Sequence, residues 1–130
     1  MLHKELTEKI IRAYYNVYNE LGFGFLEKVY ENALLIELRR QGLNAECQIS
    51  IKVFFDGFEV GNYYADILVN DLVILELKAV STLVSEHEFQ LVNYLRATNK
   101  EIGLLLNFGE KAKFKRKIFT NDRKRNFKNQ

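Results

Sequence analysis

Glu76 and Lys78 interrupt the run Leu72–Val80 (Leu-Val-Ile-Leu-Glu-Leu-Lys-Ala-Val), which is otherwise apolar. A stretch so rich in Val, Ile and Leu suits a central strand buried on both faces. A charge buried there without a partner is costly or gives up its ionisation, so buried charges pair or hold a metal. Spacing of two puts both side chains on one face of a strand. Ten residues before Glu76, Asp66 interrupts a second strand-like run, Tyr63-Tyr64-Ala65-Asp66-Ile67-Leu68-Val69. Two carboxylates converging at one point repel, which raises one pKa unless a divalent cation neutralises them. Magnesium suits such a site, because it takes oxygen ligands at about 2.0–2.1 Å and keeps several waters; manganese is the alternative. One such water, made more acidic by the metal, could attack a phosphorus atom. Lys78 could orient that water or neutralise the anion that develops.

The elements that must position these residues are legible in the spacing. A first helix is predicted from Lys4 to Leu21, with Leu6, Ile10, Ala13, Tyr14, Val17 and Leu21 on one stripe and Gly22 at its C-terminal cap. Gly22-Phe23-Gly24 breaks the chain. A second helix is predicted from Leu26 to Gln41, with Leu26, Tyr30, Ala33, Leu34 and Leu38 inward and Gly42 past its end. From Ala45 the period becomes two, through Cys47, Ile49, Ile51, Val53 and Phe55. Asp56-Gly57 signals a two-residue hairpin that pairs Phe55 with Phe58, sets Cys47 opposite Asp66, and places Asp66 on the apolar side of the first strand.

The next hairpin poses a question of register. A two-residue turn at Asn70-Asp71 pairs Asp66 with Leu75 and sends Glu76 to the other face. A three-residue loop, Asn70-Asp71-Leu72, pairs Asp66 with Glu76, and Asn and Asp tolerate the left-handed conformation it needs. If the carboxylates work together, the longer loop must win. Ser85-Glu86-His87-Glu88 fits a capping box, with Ser at the cap, for a helix reaching Thr98 that carries His87, Gln90 and Tyr94 on one stripe. Glu101–Phe108 reads as a buried strand and Lys113–Thr120 as a final edge strand. The fold class is therefore α/β, a mixed central sheet flanked by helices in the order α-α-β-β-β-α-β with a further β at the end.

The 130 residues suit one domain, 1–130, and 48% hydrophobic content supplies a core. No apolar stretch is long enough to cross a bilayer, and Met1-Leu2-His3-Lys4-Glu5 lacks a signal-peptide core, so a cytoplasmic setting without membrane partners is expected. The single Cys47 cannot pair within the chain, could not complete a zinc site with only His3 and His87, and reads as a small buried hydrophobe. Charge is uneven. Residues 1–110 carry 10 Lys and Arg against 16 Asp and Glu, whereas 111–130 carry 9 against the lone Asp122. The basic segment, with Lys113, Lys115, Arg116 and Lys117 at its core, is the candidate contact for a polyanion. Its Phe114, Ile118, Phe119 and Phe127 argue that part of it folds onto the body.

Asp66 followed by Glu76-Leu77-Lys78 resembles the core signature of the PD-(D/E)xK nuclease superfamily. Gly24-Phe25-Leu26-Glu27-Lys28-Val29-Tyr30 spells the motif of the bacterial GxxExxY proteins, a branch of that superfamily. Glu76–Val80, His87-Glu88-Phe89-Gln90-Leu91 with Asn93-Tyr94-Leu95, and Gly103–Phe108 are similar to that family in order and spacing. The resemblance covers residues 5–120. It implies a PD-(D/E)xK nuclease-like fold, metal ligation by Asp66 and Glu76 and a catalytic role for Lys78. It further implies a supporting carboxylate from Glu27, and a Gln90 that positions substrate or lysine. Tyr30, His87 and Tyr94 fall in the same blocks as supporting residues. Ala65 stands where the superfamily name has proline, and Tyr64 where a basic residue often lies.

Each residue also has a purely structural reading. Glu76 and Lys78 could be an ion pair, Glu27 a favourable charge in a first helical turn, and Tyr30 and Tyr94 core aromatics with bonded hydroxyls. Gln90 and His87 could be helix-surface residues, and the basic segment a solvated tail. The reading favoured is a magnesium-dependent phosphodiesterase acting on nucleic acid, DNA before RNA, with a homodimer as one way to cut two strands. The alternative is a non-catalytic module that keeps the fold and binds nucleic acid or protein. A chain freed from catalysis has no reason to bury Asp66, Glu76 and Lys78 together.

Overall fold

The structure, a computed structural model, describes residues 2–125. Helix α1 spans Lys4–Leu21 and α2 spans Glu27–Arg40; Gly22 and Gly42, just past their ends, have φ of 68° and 82°. Strands β1 (Ala45–Phe55), β2 (Phe58–Val69) and β3 (Val73–Lys78) form consecutive antiparallel hairpins. Helix α3 (Ser85–Ala97) then crosses to β4 (Ile102–Phe108), which runs parallel to β3, and β5 (Ala112–Ile118) closes the edge. The sheet order is β1-β2-β3-β4-β5. A parallel pair needs such a crossover, and here the helix supplies it.

Each face of the sheet has its own core. Ile10, Tyr14, Tyr30, Leu34 and Leu38 of α1 and α2 pack on Ile67, Leu75, Leu77, Leu104 and Leu106. Leu91, Tyr94 and Leu95 of α3 pack on Ile51, Ala65, Leu68, Ile74 and Leu105 on the opposite face. Strands β3 and β4 are covered on both sides, which explains why they are so largely apolar. Lys128 and Phe127 lie outside the described residues.

The β2–β3 hairpin adopts the three-residue loop. Asn70 and Asp71 take φ of 52° and 58°, and Val69 pairs with Val73 and Ile67 with Leu75. That register sets Asp66 opposite Glu76. At the β1–β2 hairpin Asp56 and Gly57 turn as expected and Phe55 pairs with Phe58. A bulge then intervenes: Phe54 pairs with Glu59 but Val53 with Gly61, leaving Val60 as the extra residue. Cys47 therefore opposes Ile67, not Asp66, and it is exposed, not buried. A second irregularity lies at Gln48, with φ of 54°. Ala45 belongs to the core under α1 and α2, whereas Ile49, Ile51 and Val53 belong to the core under α3. The apolar side of β1 thus changes face at Gln48, so no single face carries both Asp66 and the whole alternation.

Two helix starts also differ from expectation. Leu26 is 80% exposed, because it is the extended cap (φ −72°, ψ 156°) and Glu27 is the first helical residue. At α3 the cap is Val84, not Ser85: its N–H donates to His87 Nδ1 at 3.3 Å and its carbonyl accepts the His87 N–H at 3.1 Å.

Candidate active site

The backbone ladder between β2 and β3 ends at Ile67 and Leu75. Beyond it, two carboxylates take over. The Asp66 N–H donates to Glu76 Oε1 at 3.1 Å, and the Leu77 N–H donates to Asp66 Oδ2 at 2.7 Å. Each carboxylate thereby satisfies the opposite strand with one oxygen and keeps the other, Asp66 Oδ1 and Glu76 Oε2, outside those bonds. Glu76 is 4% exposed. Burial pushes its pKa up to about 8, the nearby Asp66 charge adds to the rise, and the Asp66 N–H and the Lys78 ammonium oppose it. The Asp66 pKa is raised too, first by burial and then by Glu31 and Glu27, against the Leu77 N–H and Lys78. Lys78, two residues beyond Glu76 on β3, is half-buried.

Helix α2 brings further carboxylates. Glu27 and Glu31, one helical turn apart, line with Asp66, Gln48 and Leu77 a cavity of about 270 Å³. Glu31 is buried: its Oε2 lies 2.6 Å from Lys28 Nζ, and its Oε1 accepts from Gln48 Nε2 at 2.8 Å. Sequence reasoning misses Glu31; the spacing of four from Glu27 is the signal that could have found it. From α3, Gln90 Nε2 donates to the Tyr94 hydroxyl at 3.0 Å. Tyr94 has its pKa raised to about 12 by burial and then by the charges of Glu76 and Asp66, so it stays a neutral hydroxyl beside them.

The structure brings Glu27, Asp66, Glu76, Lys78 and Tyr94 into one electrostatic neighbourhood. Other residues are placed elsewhere. Tyr30 is fully buried, stacks on Phe108 at 4.1 Å, and spends its hydroxyl on the loop before α2, donating to the Gly22 carbonyl (2.7 Å) and accepting from the Phe25 N–H (3.2 Å). It holds the turn that delivers Glu27 and does not enter the cleft. His87, in the first turn of α3, accepts the N–H of the cap residue Val84 with Nδ1. On β5, Arg116 ties the edge strand to α1, donating to the Leu2 carbonyl at 2.6 Å and to Thr7 Oγ1 at 3.2 Å, and Lys117 pairs with Glu88 at 2.5 Å. Lys113 and Lys115 are exposed along a cleft of about 410 Å³ beside Ser81, Thr82 and Asn107.

Among the described residues no three or more His, Cys, Asp or Glu side chains form a ready metal cluster. The donor set that exists is two carboxyl groups, Asp66 and Glu76, each with one oxygen outside the strand contacts and a raised pKa. That set fits a hard divalent ion that keeps several waters, and it offers no nitrogen or sulfur to a softer one.

The PD-(D/E)XK nuclease superfamily model matches residues 4–118. The crystal structure of SSO0001 superposes with a TM-score of 0.57 at 18% identity, covering 72% of this chain and 50% of that one. The chain thus spans about half the length of that protein, and the likeness is one of fold. No curated protein matches the sequence.

Proposed function

The chain belongs to the PD-(D/E)XK nuclease superfamily, and on that footing we propose that it is a magnesium-dependent phosphodiesterase hydrolysing nucleic acid, DNA before RNA. The observation that carries this reading is the meeting of half-buried Asp66 and buried Glu76 where β2 and β3 part, with Lys78 next along β3. The GxxExxY-like block around Glu27 supports membership of that branch.

Asp66 and Glu76 would hold the cation, which when bound supplies an acidified water and charge neutralisation at the phosphate. Lys78 carries the fixed positive charge beside them and is suited to orient the nucleophile and stabilise the growing negative charge. Glu27, in the first turn of α2, adds a carboxylate able to order water at the same cleft. Gln90 donates to the Tyr94 hydroxyl, leaving a neutral donor in the neighbourhood of the two carboxyl groups. Lys113 and Lys115, exposed on β5, would contact flanking phosphates, while Arg116 and Lys117 serve the fold.

The test is incubation of the purified protein with single- and double-stranded DNA and RNA, with magnesium or manganese and with chelator. Cleavage that requires metal and disappears in Asp66→Asn supports the reading. Binding without cleavage under every metal condition would transfer the chain to the non-catalytic module.

A further inference from the structure

On the α3 face a second cleft, of about 550 Å³, opens between the β1–β2 hairpin and α3. Phe89, Gln90, Asn93 and Arg96 line it from the helix, and Gly61 and Tyr63 from β2. Two of its rings are left to solvent: Phe89 is 64% and Tyr63 51% exposed. Neither ring is needed by the core, and clustered exposed apolar surface marks a binding site more often than an accident. Gly61 lets the Tyr63 ring lie close to the strand, since a Cβ there would be 3.3 Å from that ring.

The polar lining narrows the ligand. Gln90 and Asn93 offer amides, each both donor and acceptor. Arg96 is held with its guanidinium 4.9 Å over the Phe119 ring, and Glu86 in the same lining balances its charge. A cleft without net charge is ill suited to a phosphate backbone, but flat rings with neutral hydrogen-bonding groups suit a nucleobase. One residue links the cleft to the carboxylates of β2 and β3. Tyr94 lines it, packs 5.9 Å from the Tyr63 ring, and is bonded to Gln90, while the charges of Glu76 and Asp66 act on its hydroxyl.

We propose that this cleft binds an unpaired nucleobase of single-stranded nucleic acid, stacked on Phe89 and Tyr63 and read by Gln90 and Asn93. The proposal rests on the phosphodiesterase reading, in which a strand already crosses Asp66 and Glu76. It makes a single strand, or a strand locally unpaired at the cleft, the preferred substrate. The concave, amide-lined shape favours a planar base over the surface of a second copy of the chain.

The experiment is fluorescence anisotropy in chelator, so that binding is read without cleavage. The probes are a labelled oligodeoxythymidylate, an oligouridylate, and an abasic strand of equal length. Stacking on one ring corresponds to roughly 5- to 150-fold in affinity, so Phe89→Ala should bind either oligonucleotide about tenfold more weakly. The abasic strand should bind weakly to both proteins. Tyr63→Phe, which keeps the ring, should bind like wild type, and Tyr63→Ala should not. Equal affinity for the abasic strand, or no effect of Phe89→Ala and Tyr63→Ala, overturns the proposal. So does a dimer, seen by sedimentation, that Phe89→Ala dissociates. Cleavage with magnesium is scored separately on the same strands. Base-dependent binding without any cutting upholds the cleft and sinks the phosphodiesterase reading; cutting with base-independent binding does the reverse.

Discussion

Glu76→Gln should make the metal-free protein more stable and the metal-loaded protein relatively less so. Glu76 titrates near 8 in the folded chain against the usual 4.5. A carboxyl whose folded pKa is raised contributes stability that is fully present below 4.5 and is lost as pH rises through 8. That separation corresponds to ~5 kcal/mol at about 1.36 kcal/mol per pH unit. Water entry and local relaxation reduce the cost of a buried charge, so a gain of about 2 kcal/mol is expected for Glu76→Gln at about pH 9 in chelator, or ~8 °C in Tm for a chain of this size. The amide can still accept the Asp66 N–H, so the strand contact survives the change. Below about pH 4.5 the two proteins should be nearly equal. Magnesium at a hundredfold excess over its Kd should then stabilise the wild type by ~2.7 kcal/mol and Glu76→Gln by far less, inverting their order. Thermal melts across pH, with chelator and with magnesium, read all of this. A Glu76→Gln protein less stable than wild type at about pH 9 without metal, or a wild-type melting temperature flat from acid to alkaline pH, would refute the reasoning.

Lys78→Met keeps the aliphatic stem and deletes the ammonium, so cleavage should fall by roughly a hundredfold or more while metal affinity does not fall; wild-type turnover would sink the assigned role. Lys113→Ala with Lys115→Ala should flatten the salt dependence of duplex binding by about 0.9 log units per tenfold salt for each phosphate no longer neutralised, and an unchanged slope would make both lysines bystanders. Arg116→Ala should instead cost about 1–2 kcal/mol of stability, because it releases the Leu2 carbonyl and Thr7 from β5; urea unfolding decides. Tyr30→Phe should likewise cost about 1–2 kcal/mol by freeing the Gly22 carbonyl and the Phe25 N–H, and a larger loss of activity than of stability would show the loop before α2 to be part of the site.

The element order and the register of the β2–β3 hairpin are legible because the residues that decide them carry local chemistry. Asn70 and Asp71 tolerate positive φ, and both use it. The demand that two carboxylates face each other chooses the loop length. What is not legible are places where tertiary packing overrides local preference. Neither Val60 nor Gln48 is a residue that marks a bulge or a left-handed conformation, yet the bulge at Val60 and the φ of 54° at Gln48 re-aim β1. Gln48 is held there in part by its bond to Glu31, a partner 17 residues away that no periodicity reveals. Alternation alone would bury Cys47, and it is exposed because it lies just before that change of face.

The basic segment illustrates a second limit: a count of charges does not say where they go. Arg116 faces α1 because β5 alternates, and Phe114 beside it on that face packs into the core. Lys124 is 2% exposed and donates to the Thr98 and Lys100 carbonyls, with burial lowering its pKa to about 8. Lys117 is committed to Glu88. A segment that looks like a polyanion arm thus spends several of its cations fastening the sheet edge and the end of α3. The opposite holds at Asp66 and Glu76, where the structural bonds are made with one oxygen each. The strand contact needs only that oxygen, which leaves the second outside those bonds. On the proposed phosphodiesterase reading, the separation of the strands lets buried Glu76 and half-buried Asp66 serve the fold and the chemistry together, and it comes at a pH-dependent loss of stability that a bound divalent ion would reverse.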